Sequence, residues 1–267
     1  MNKLKICVFS DIHYIDEKPE WKVNRKLVEY AEPLTDKIID KVNNEIKPDV
    51  CVNLGDMIQA SKNKEKDLAN LEYIWKKLQG FNVPFYTLIG NHELKSVESN
   101  KEIMDVLGYE NATYGVDVNG YHLLFIGTDV NEEDEKYRTQ YISDKDLAWI
   151  AEDLDANSDK KVIIFSHFGI AEDEMKGNFY YDKNPEGGMI INREKLKEIL
   201  HKHKNILSVF CGHQHWTKAI RENGVPYYML GALTENMNWD GIPDGVYFDV
   251  NAIDDIVRVR EGHLKID

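Results

Sequence analysis

The sequence predicts an α/β fold in which two mixed sheets pack together with helices outside. Two observations lead there: short unbroken apolar runs alternate with amphipathic segments, and hairpin turn signals stand between some of them. The apolar runs cover residues 4–9, 50–54, 85–89, 162–165 and 207–211. Each is short and continuous, the pattern of a strand buried on both faces. Residues 64–79 place Leu68, Leu71, Ile74, Trp75 and Leu78 on one helical face, with Lys, Asp and Glu opposite. Residues 27–46, 143–154 and 192–203 read likewise, the second opened by Ser143 with Asp146 three residues on. His201 and His203 close the last helix, where cations suit a C-terminus, and are expected at the surface. Residues 113–128 hold Asn119-Gly120 between two strand-like runs, a strong hairpin signal. A second hairpin is expected at 216–230 around Glu222-Asn223-Gly224, with further strands at 245–250 and 255–260. No linker, repeat or low-complexity tract divides the chain, so residues 1–267 are expected to form one domain.

Composition narrows the function. Hydrophobic residues make up 42% of the 267, enough for a sizeable core. Lys and Arg number 33 against 47 Asp and Glu, a formal charge of −14. Such a surface repels a phosphate backbone, which argues against long nucleic acid or an anionic membrane as partner. A small phosphorylated substrate stays open, because bound metal ions dominate their local field. Cys7, Cys51 and Cys211 lie in apolar runs without paired spacing, which fits a reducing compartment better than a disulfide framework. The apolar part of the opening segment is brief and runs straight into Asp11, so a first strand is expected rather than a signal peptide. No apolar run approaches transmembrane length, and a cytoplasmic location is expected. The acidic run at 132–135 reads as a solvated loop.

The chemistry concentrates where the apolar runs end. Asp11-Ile12-His13, Gly55-Asp56, Gly90-Asn91-His92-Glu93, Ser166-His167 and Gly212-His213-Gln214-His215 each close one run. Strand-end loops gather at one edge of an α/β sheet, so Asp11, His13, Asp56, Asn91, His167, His213 and His215 are expected at one site. Taken singly, Asp-x-His or Gly-Asp is explained by a cap or a turn. Gly-x-His-x-His is stronger, because imidazoles at strand spacing share a face. Imidazole, carboxylate and amide oxygen together suit borderline first-row divalent ions rather than Ca²⁺ or Mg²⁺. Seven ligands exceed one tetrahedral zinc and suffice for two ions if one carboxylate bridges.

In that order the motifs resemble those of the calcineurin-like metallophosphoesterases. A short chain ending its motifs in Gly-His-x-His resembles the cyclic-nucleotide-phosphodiesterase-like branch, and Gly-Asn-His-Glu is similar to the manganese-dependent ADP-ribose/CDP-alcohol pyrophosphatases. The resemblance implies a four-layer α/β/β/α sandwich and a dinuclear centre. One ion would take Asp11, His13, Asp56 and His215; the second would share Asp56 and add Asn91, His167 and His213. His92 would face the substrate phosphate as general acid or charge stabiliser, and Asp11 would also orient the attacking metal-bridged hydroxide. Manganese or iron is expected, with zinc close behind. Gln59 and Phe168-Gly169 depart from the common family pattern and bear on the subfamily.

The substrate is read from fewer residues. Tyr180 and Tyr181 lie in the aromatic segment 175–189, expected as a loop near the site, where a nucleobase could stack. Asn236 and Trp239 follow the second hairpin and are further candidate contacts; Arg138, Arg193 and Lys95 are candidate phosphate contacts. The expected activity is hydrolysis of a phosphodiester or pyrophosphate bond in a small nucleotide-like substrate. A phosphomonoesterase, including a protein phosphatase, is the alternative, disfavoured because no Arg-rich loop is visible. A nuclease and a catalytically silent metal-binding scaffold rank lower.

Overall fold

A computed structural model of the chain describes residues 1–17 and 25–266. Its strands, in chain order, are β1 (Lys3–Phe9), β2 (Val50–Asn53), β3 (Phe85–Thr87), β4 (Tyr114–Val118), β5 (Tyr121–Ile126), β6 (Lys161–Ser166), β7 (Ile206–Cys211), β8 (Lys218–Glu222), β9 (Val225–Met229), β10 (Val246–Ile253) and β11 (Ile256–His263). The helices are α1 (Ala31–Lys41), α2 (Lys64–Leu78), the single turn α3 (Asn91–Leu94), α4 (Asn100–Leu107), α5 (Asp144–Ala156) and α6 (Arg193–Leu200). One sheet runs β11-β10-β1-β2-β3 and the other β4-β5-β6-β7-β9-β8. β1, β2 and β3 are parallel neighbours, as are β5, β6, β7 and β9.

Strand alternation builds four layers from this order. Ile6 and Val8 of β1 meet Ile163 and Phe165 of β6 and Phe210 of β7 between the sheets. Cys7 and Phe9 face the other way and pack with Leu34 and Ile38 of α1 and Leu71, Ile74 and Leu78 of α2. Val162 and Ile164 pack outward with Leu147, Ile150 and Leu154 of α5 and Leu196 and Leu200 of α6. The result is an α/β/β/α sandwich, and burial of both sheet faces explains why these strands read as unbroken apolar runs.

An aromatic row sets the register of the second sheet. Tyr114, Phe125, Phe165, Phe210 and Tyr228 stand opposite one another on successive strands. Their rings stack at centroid distances of 4.6, 5.0, 5.6 and 5.3 Å. A one-residue slip would throw each ring to the opposite face, so the row fixes where β6 and β7 end. Those ends matter, because His167 follows β6 and His213 follows β7.

Several boundaries differ from the sequence expectation for physical reasons. The helix expected at 27–46 starts at Ala31, so that Pro33 falls within the first turn, where a backbone N–H is not needed. It widens to a π turn over Val42–Ile46 and stops at left-handed Lys47, φ 48°. Ser143 caps α5 through Asp146 N at 3.1 Å, and Asn63 caps α2 through Lys66 N at 3.1 Å. Both hairpins turn on an Asn-Gly pair, with φ of 51° and 83° at Asn119-Gly120 and 48° and 83° at Asn223-Gly224. Glu222 belongs to β8, paired with Val225, rather than to the turn. His203 departs from its surface expectation: its side chain is only 9% exposed, 3.8 Å from Asp155. Cys7, Cys51 and Cys211 are all buried and free. No helix of the described residues is long and apolar enough to cross a membrane.

Candidate metal centre

The C-terminal ends of β1, β2, β3, β6 and β7 deliver Asp11 and His13, Asp56, Asn91, His167, and His213 and His215 respectively. Backbone hydrogen bonds tie these loops to one another. Asp11 N donates to Gly55 O and His13 N to Asp56 O, each at 3.0 Å, and Gly212 N donates to His167 O at 3.0 Å. The loops also nest closely. Gly55 has φ 108°, and a Cβ there would sit 2.8 Å from His167 Nδ1 and 2.9 Å from Gly90 N. A Cβ at Gly90 would collide with the Asp56 carboxylate. These two motif glycines are therefore required by the approach of the neighbouring motif.

Five of the seven residues hold a left-handed backbone: Asp11 (58°), His13 (52°), Asp56 (53°), His213 (63°) and His215 (49°). This overturns one step of the sequence reasoning. His213 and His215 do not share a strand face; β7 has ended at Cys211, and the two rings enter different groups.

The first group is Asp11, His13, Asp56 and His215; the second is Asp56, His167 and His213, all buried. His215 Nε2 lies 3.1 Å from Asp11 Oδ1 and 3.1 Å from His13 Nε2. His13 Nε2 is 3.8 Å from Asp11 Oδ1 and 3.9 Å from Asp56 Oδ2. On the other side, His167 Nε2 is 3.5 Å from Asp56 Oδ1 and 3.1 Å from the amide oxygen of Asn91. Asp56 thus turns one oxygen toward each group.

The outer ring nitrogens settle which atoms face inward. His167 Nδ1 donates to Leu54 O at 2.8 Å, and His213 Nε2 donates to Gly187 O at 3.0 Å. His215 Nδ1 pairs with the buried carboxylate of Glu235. Each ring in its neutral form therefore keeps a lone pair on the remaining nitrogen, the arrangement in which metal-binding imidazoles are held. Donor atoms 3.1–3.9 Å apart suit neighbouring ligands of one ion at roughly 2.1 Å. The donor set fits two divalent ions.

Electrostatics point the same way. Burial works against the charge of Asp11, yet His215 draws its carboxyl down to about 2. Burial works likewise against Asp56, and His167 and His92 hold it well below the carboxylate range. Burial pushes His13 down to about 3; burial, reinforced by the charge of His167, does the same to His213. Burial opposes protonation of His167 and His215 too, but Asp56 raises the first to about 9 and Glu235 with Asp11 raises the second to about 10. Without metal, the chain retains protons on these rings to balance its buried carboxylates.

A cavity of about 160 Å³ opens over the groups, lined by Lys26, Asp56, Asn91, His92, Lys95, Tyr180, Tyr181, His213 and His215. Tyr180 and Tyr181 are thus brought to the site, Tyr181 with its hydroxyl 2.9 Å from His213 Nε2. Asn236 and Trp239 are not among its lining. Asn236 is spent on its own turn, accepting from Asn238 N and Trp239 N and donating to Asp240 and Ile242 O. Trp239 packs against Phe179 at 4.9 Å, 44% exposed. Arg138 donates to the carbonyls of Leu94 and Val97, and Arg193 pairs with Glu172 and Glu186, so both are structural. Lys95 does reach the site.

Sequence reasoning missed three further residues. Glu93 was read only as part of a motif. Its carboxylate accepts from Asp56 N, Ile58 N and Gly90 N at 3.1, 3.0 and 2.7 Å, binding the loop after β2 to that after β3. Glu235 pairs with His215, Arg25 and Tyr180, and Lys26 joins the cavity wall. The capping-box position of Glu93 could have signalled its role; Glu235 and Lys26 carry no motif.

Comparison with known proteins agrees with this geometry. Residues 4–217 match the family model described as Calcineurin-like phosphoesterase. A probable glycerophosphodiester phosphodiesterase of Arcobacter nitrofigilis is 26% identical over 224 residues, covering 79% of this chain and 74% of that protein. A glycerophosphodiester phosphodiesterase of Enterobacter lignolyticus is 24% identical over 173 residues, 63% of this chain and 56% of its own length. Among solved structures, a dimetal phosphatase from Danio rerio superposes with a TM-score of 0.74 at 15% identity, covering 99% of this chain and 98% of that one.

Proposed function

Because the chain belongs to the calcineurin-like phosphoesterases, hydrolases of phosphoric esters, we propose that it cleaves a phosphodiester or pyrophosphate bond in a small, nucleotide-like substrate. The observation that carries this reading is Asp56, with one oxygen toward each of two donor groups. Two divalent ions bound there, manganese or iron in our reading with zinc the next choice, supply a water acidic enough to attack at neutral pH and polarise the phosphoryl oxygens. The chain positions everything else. Asp11 orients the attacking water. His92 is held neutral by burial, and its Nδ1 accepts Ala60 N–H at 3.2 Å, so the ring proton sits on Nε2 at the cavity. From there it reaches the leaving oxygen as proton donor. Tyr180 and Tyr181 supply aromatic wall for a base or other planar group. The names of the two curated relatives favour a diester over a monoester. The whole chain acts as one domain, and its free buried thiols suit the cytoplasm.

The test is hydrolysis of bis(p-nitrophenyl) phosphate against p-nitrophenyl phosphate by Mn²⁺-loaded protein, with metal-stripped protein as blank. Faster diester cleavage is expected. A monoester preference overturns the reading in favour of a phosphatase, and no metal-dependent rate on either favours a silent scaffold.

A further inference from the structure

β5, β6 and β7 lie side by side, and the loops after β6 and β7 deliver His167 and His213. The loop after β5 contributes to neither donor group. It carries Gln140 instead, buried at 6% exposure. The side-chain nitrogen of Gln140 lies 3.0 Å from Glu186 O, 3.0 Å from Gly187 O and 2.7 Å from Met189 O. Three carbonyls can face only an NH₂ group, so its partners settle the orientation of this amide. The backbone oxygen of Gln140 accepts Ile191 N at 3.0 Å and ties down the end of the same segment.

What Gln140 grips is the short turn Pro185–Gly188, and two carbonyls of that turn have a second duty. Gly187 O also accepts His213 Nε2–H at 3.0 Å. Gly188 O accepts Gly169 N at 3.1 Å and Gln214 Nε2 at 3.2 Å. Gly169 stands two residues beyond His167, and Gln214 directly follows His213. The turn therefore binds the loops of both histidines, and Gln140 binds the turn. A carbonyl oxygen has two lone pairs and no hydrogen. One pair of Gly187 O goes to Gln140; the other demands the ring proton of His213 on Nε2 and so keeps the imidazole lone pair on Nδ1.

We propose that Gln140 is a positioning residue for the second donor group: through Gly187 O it fixes the tautomer and the aim of the His213 imidazole. The inference rests on the two-ion reading above. Without the amide, the Gly187 carbonyl loses the partner that holds its direction, and the His213 N–H loses a fixed acceptor. The ring is then free to carry its proton on either nitrogen, and the second group loses a well-directed donor. The first group is held differently. His215 leans on Glu235 rather than on the turn, so Gln140 serves one group and spares the other.

The experiment is calorimetric titration of metal-free protein with Mn²⁺, read as two binding constants. Q140M keeps the length of the side chain and removes its donors. It should weaken one constant about tenfold and leave the other within about twofold. N192A is the control. Asn192 joins the same two segments through Ile142 N and O, at 3.1 and 2.8 Å, without a hydrogen bond to the turn. It should lower Tm while both constants hold. G187A leaves Gln140 in place, but its Cβ would stand 2.8 Å from Asn184 Nδ2 and 3.1 Å from the Tyr181 ring, displacing the same carbonyl. It should weaken the same constant, and it decides alone if Q140M does not fold. Imidazole ¹⁵N spectra of Zn²⁺-loaded protein should show the Nε2–H of His213 exchanging faster in Q140M and unchanged in N192A. Unchanged constants in Q140M and G187A overturn the inference, as does an unaltered His213 N–H in Q140M. Equal weakening of both constants, or the same weakening in N192A, marks general loosening and overturns it too. A wild type that binds a single ion overturns the two-ion reading itself.

Discussion

Replacing Glu235 by glutamine separates two duties of one buried carboxylate. Glu235 is 2% exposed; it accepts from His215 Nδ1, from the hydroxyl of Tyr180 and from Arg25 Nε, the last at 2.9 Å. Burial alone would raise its pKa, but the charge of His215 and bonds from His215 and Tyr180 hold it near 2. Glutamine keeps the shape and an acceptor but removes the charge. One consequence is structural. Arg25 is fully buried, and breaking one side of a buried pair costs roughly 3–5 kcal/mol. The faces of Phe179 and Tyr180 at 4.5 and 4.8 Å still hold the guanidinium, which places the loss near the lower end. For a chain of this size about 3 kcal/mol lowers Tm by roughly 6–12 °C. The other consequence is at the metal. A ligand imidazole that loses the carboxylate behind it becomes less basic and less well aimed, weakening metal affinity about ten- to a hundredfold. Thermal melts of metal-free protein read the first effect, and chelator competition reads the second. A double variant, R25M with E235Q, removes the stranded cation; it should recover much of the lost Tm yet still bind metal weakly. Metal affinity in E235Q within twofold of wild type refutes the argument, as does full recovery of affinity in the double variant.

The remaining expectations concern the centre and one distant histidine. Asp56→Ala should lose metal and activity together, since both groups depend on its carboxylate; elemental analysis returning two equivalents in an inactive variant contradicts the bridge. His92→Ala should retain its metals while kcat falls by roughly 10²–10⁴, and wild-type turnover in the purified variant rules out the assigned role. His122 bonds Asp117 and Asp153 at 2.9 and 2.8 Å; burial opposes its charge, but the two carboxylates raise its pKa above the usual value. Its contribution to stability is therefore complete below the unfolded value of about 6.5 and fades as pH rises through the higher folded one. Urea unfolding of His122→Gln should show a larger deficit at about pH 5.5 than at about pH 9, and an equal deficit at both removes the charge from the explanation.

What the sequence revealed of the fold follows from where burial is uniform. β1, β6 and β7 are covered on both faces, so Ile6, Val8, Ile163 and Phe210 stand beside equally apolar neighbours and the runs are plain to read. The hairpins were legible because Asn119-Gly120 and Asn223-Gly224 meet a backbone demand that few residue pairs satisfy. α4 escaped notice because eight residues with Ile103 and Leu107 buried make too short a period to stand out. The site was legible to the same unequal degree. The candidate ligands repeat residue types at strand ends, whereas Glu235 and Lys26 reach the centre through tertiary contacts alone. Asn236 and Trp239 lie outside the cavity lining: the turn from Asn236 to Asp240 engages the Asn236 side chain, and the Trp239 indole packs on Phe179.

The left-handed backbone at His213 and His215 accompanies the turn of two residues two apart toward different donor groups, whereas Asp11 and His13, equally left-handed, face the same one. An extended chain would point His213 and His215 along one face and at one target. A left-handed residue breaks that alternation, and so His213 joins Asp56 and His167 while His215 joins Asp11 and His13. Such conformations cost of order 1–3 kcal/mol each and persist only where the surroundings overdetermine them. Here the surroundings are visible. Cross-loop bonds run from Asp11 N to Gly55 O and from His13 N to Asp56 O, Glu93 holds three amides of neighbouring loops, and Gly55 and Gly90 admit the close approach. Asp and His tolerate this region better than most side chains, which lets the same residues supply both the turn and the ligand. The motif glycines and Glu93 thus hold the strained loops in place, and the strained loops aim the ligands.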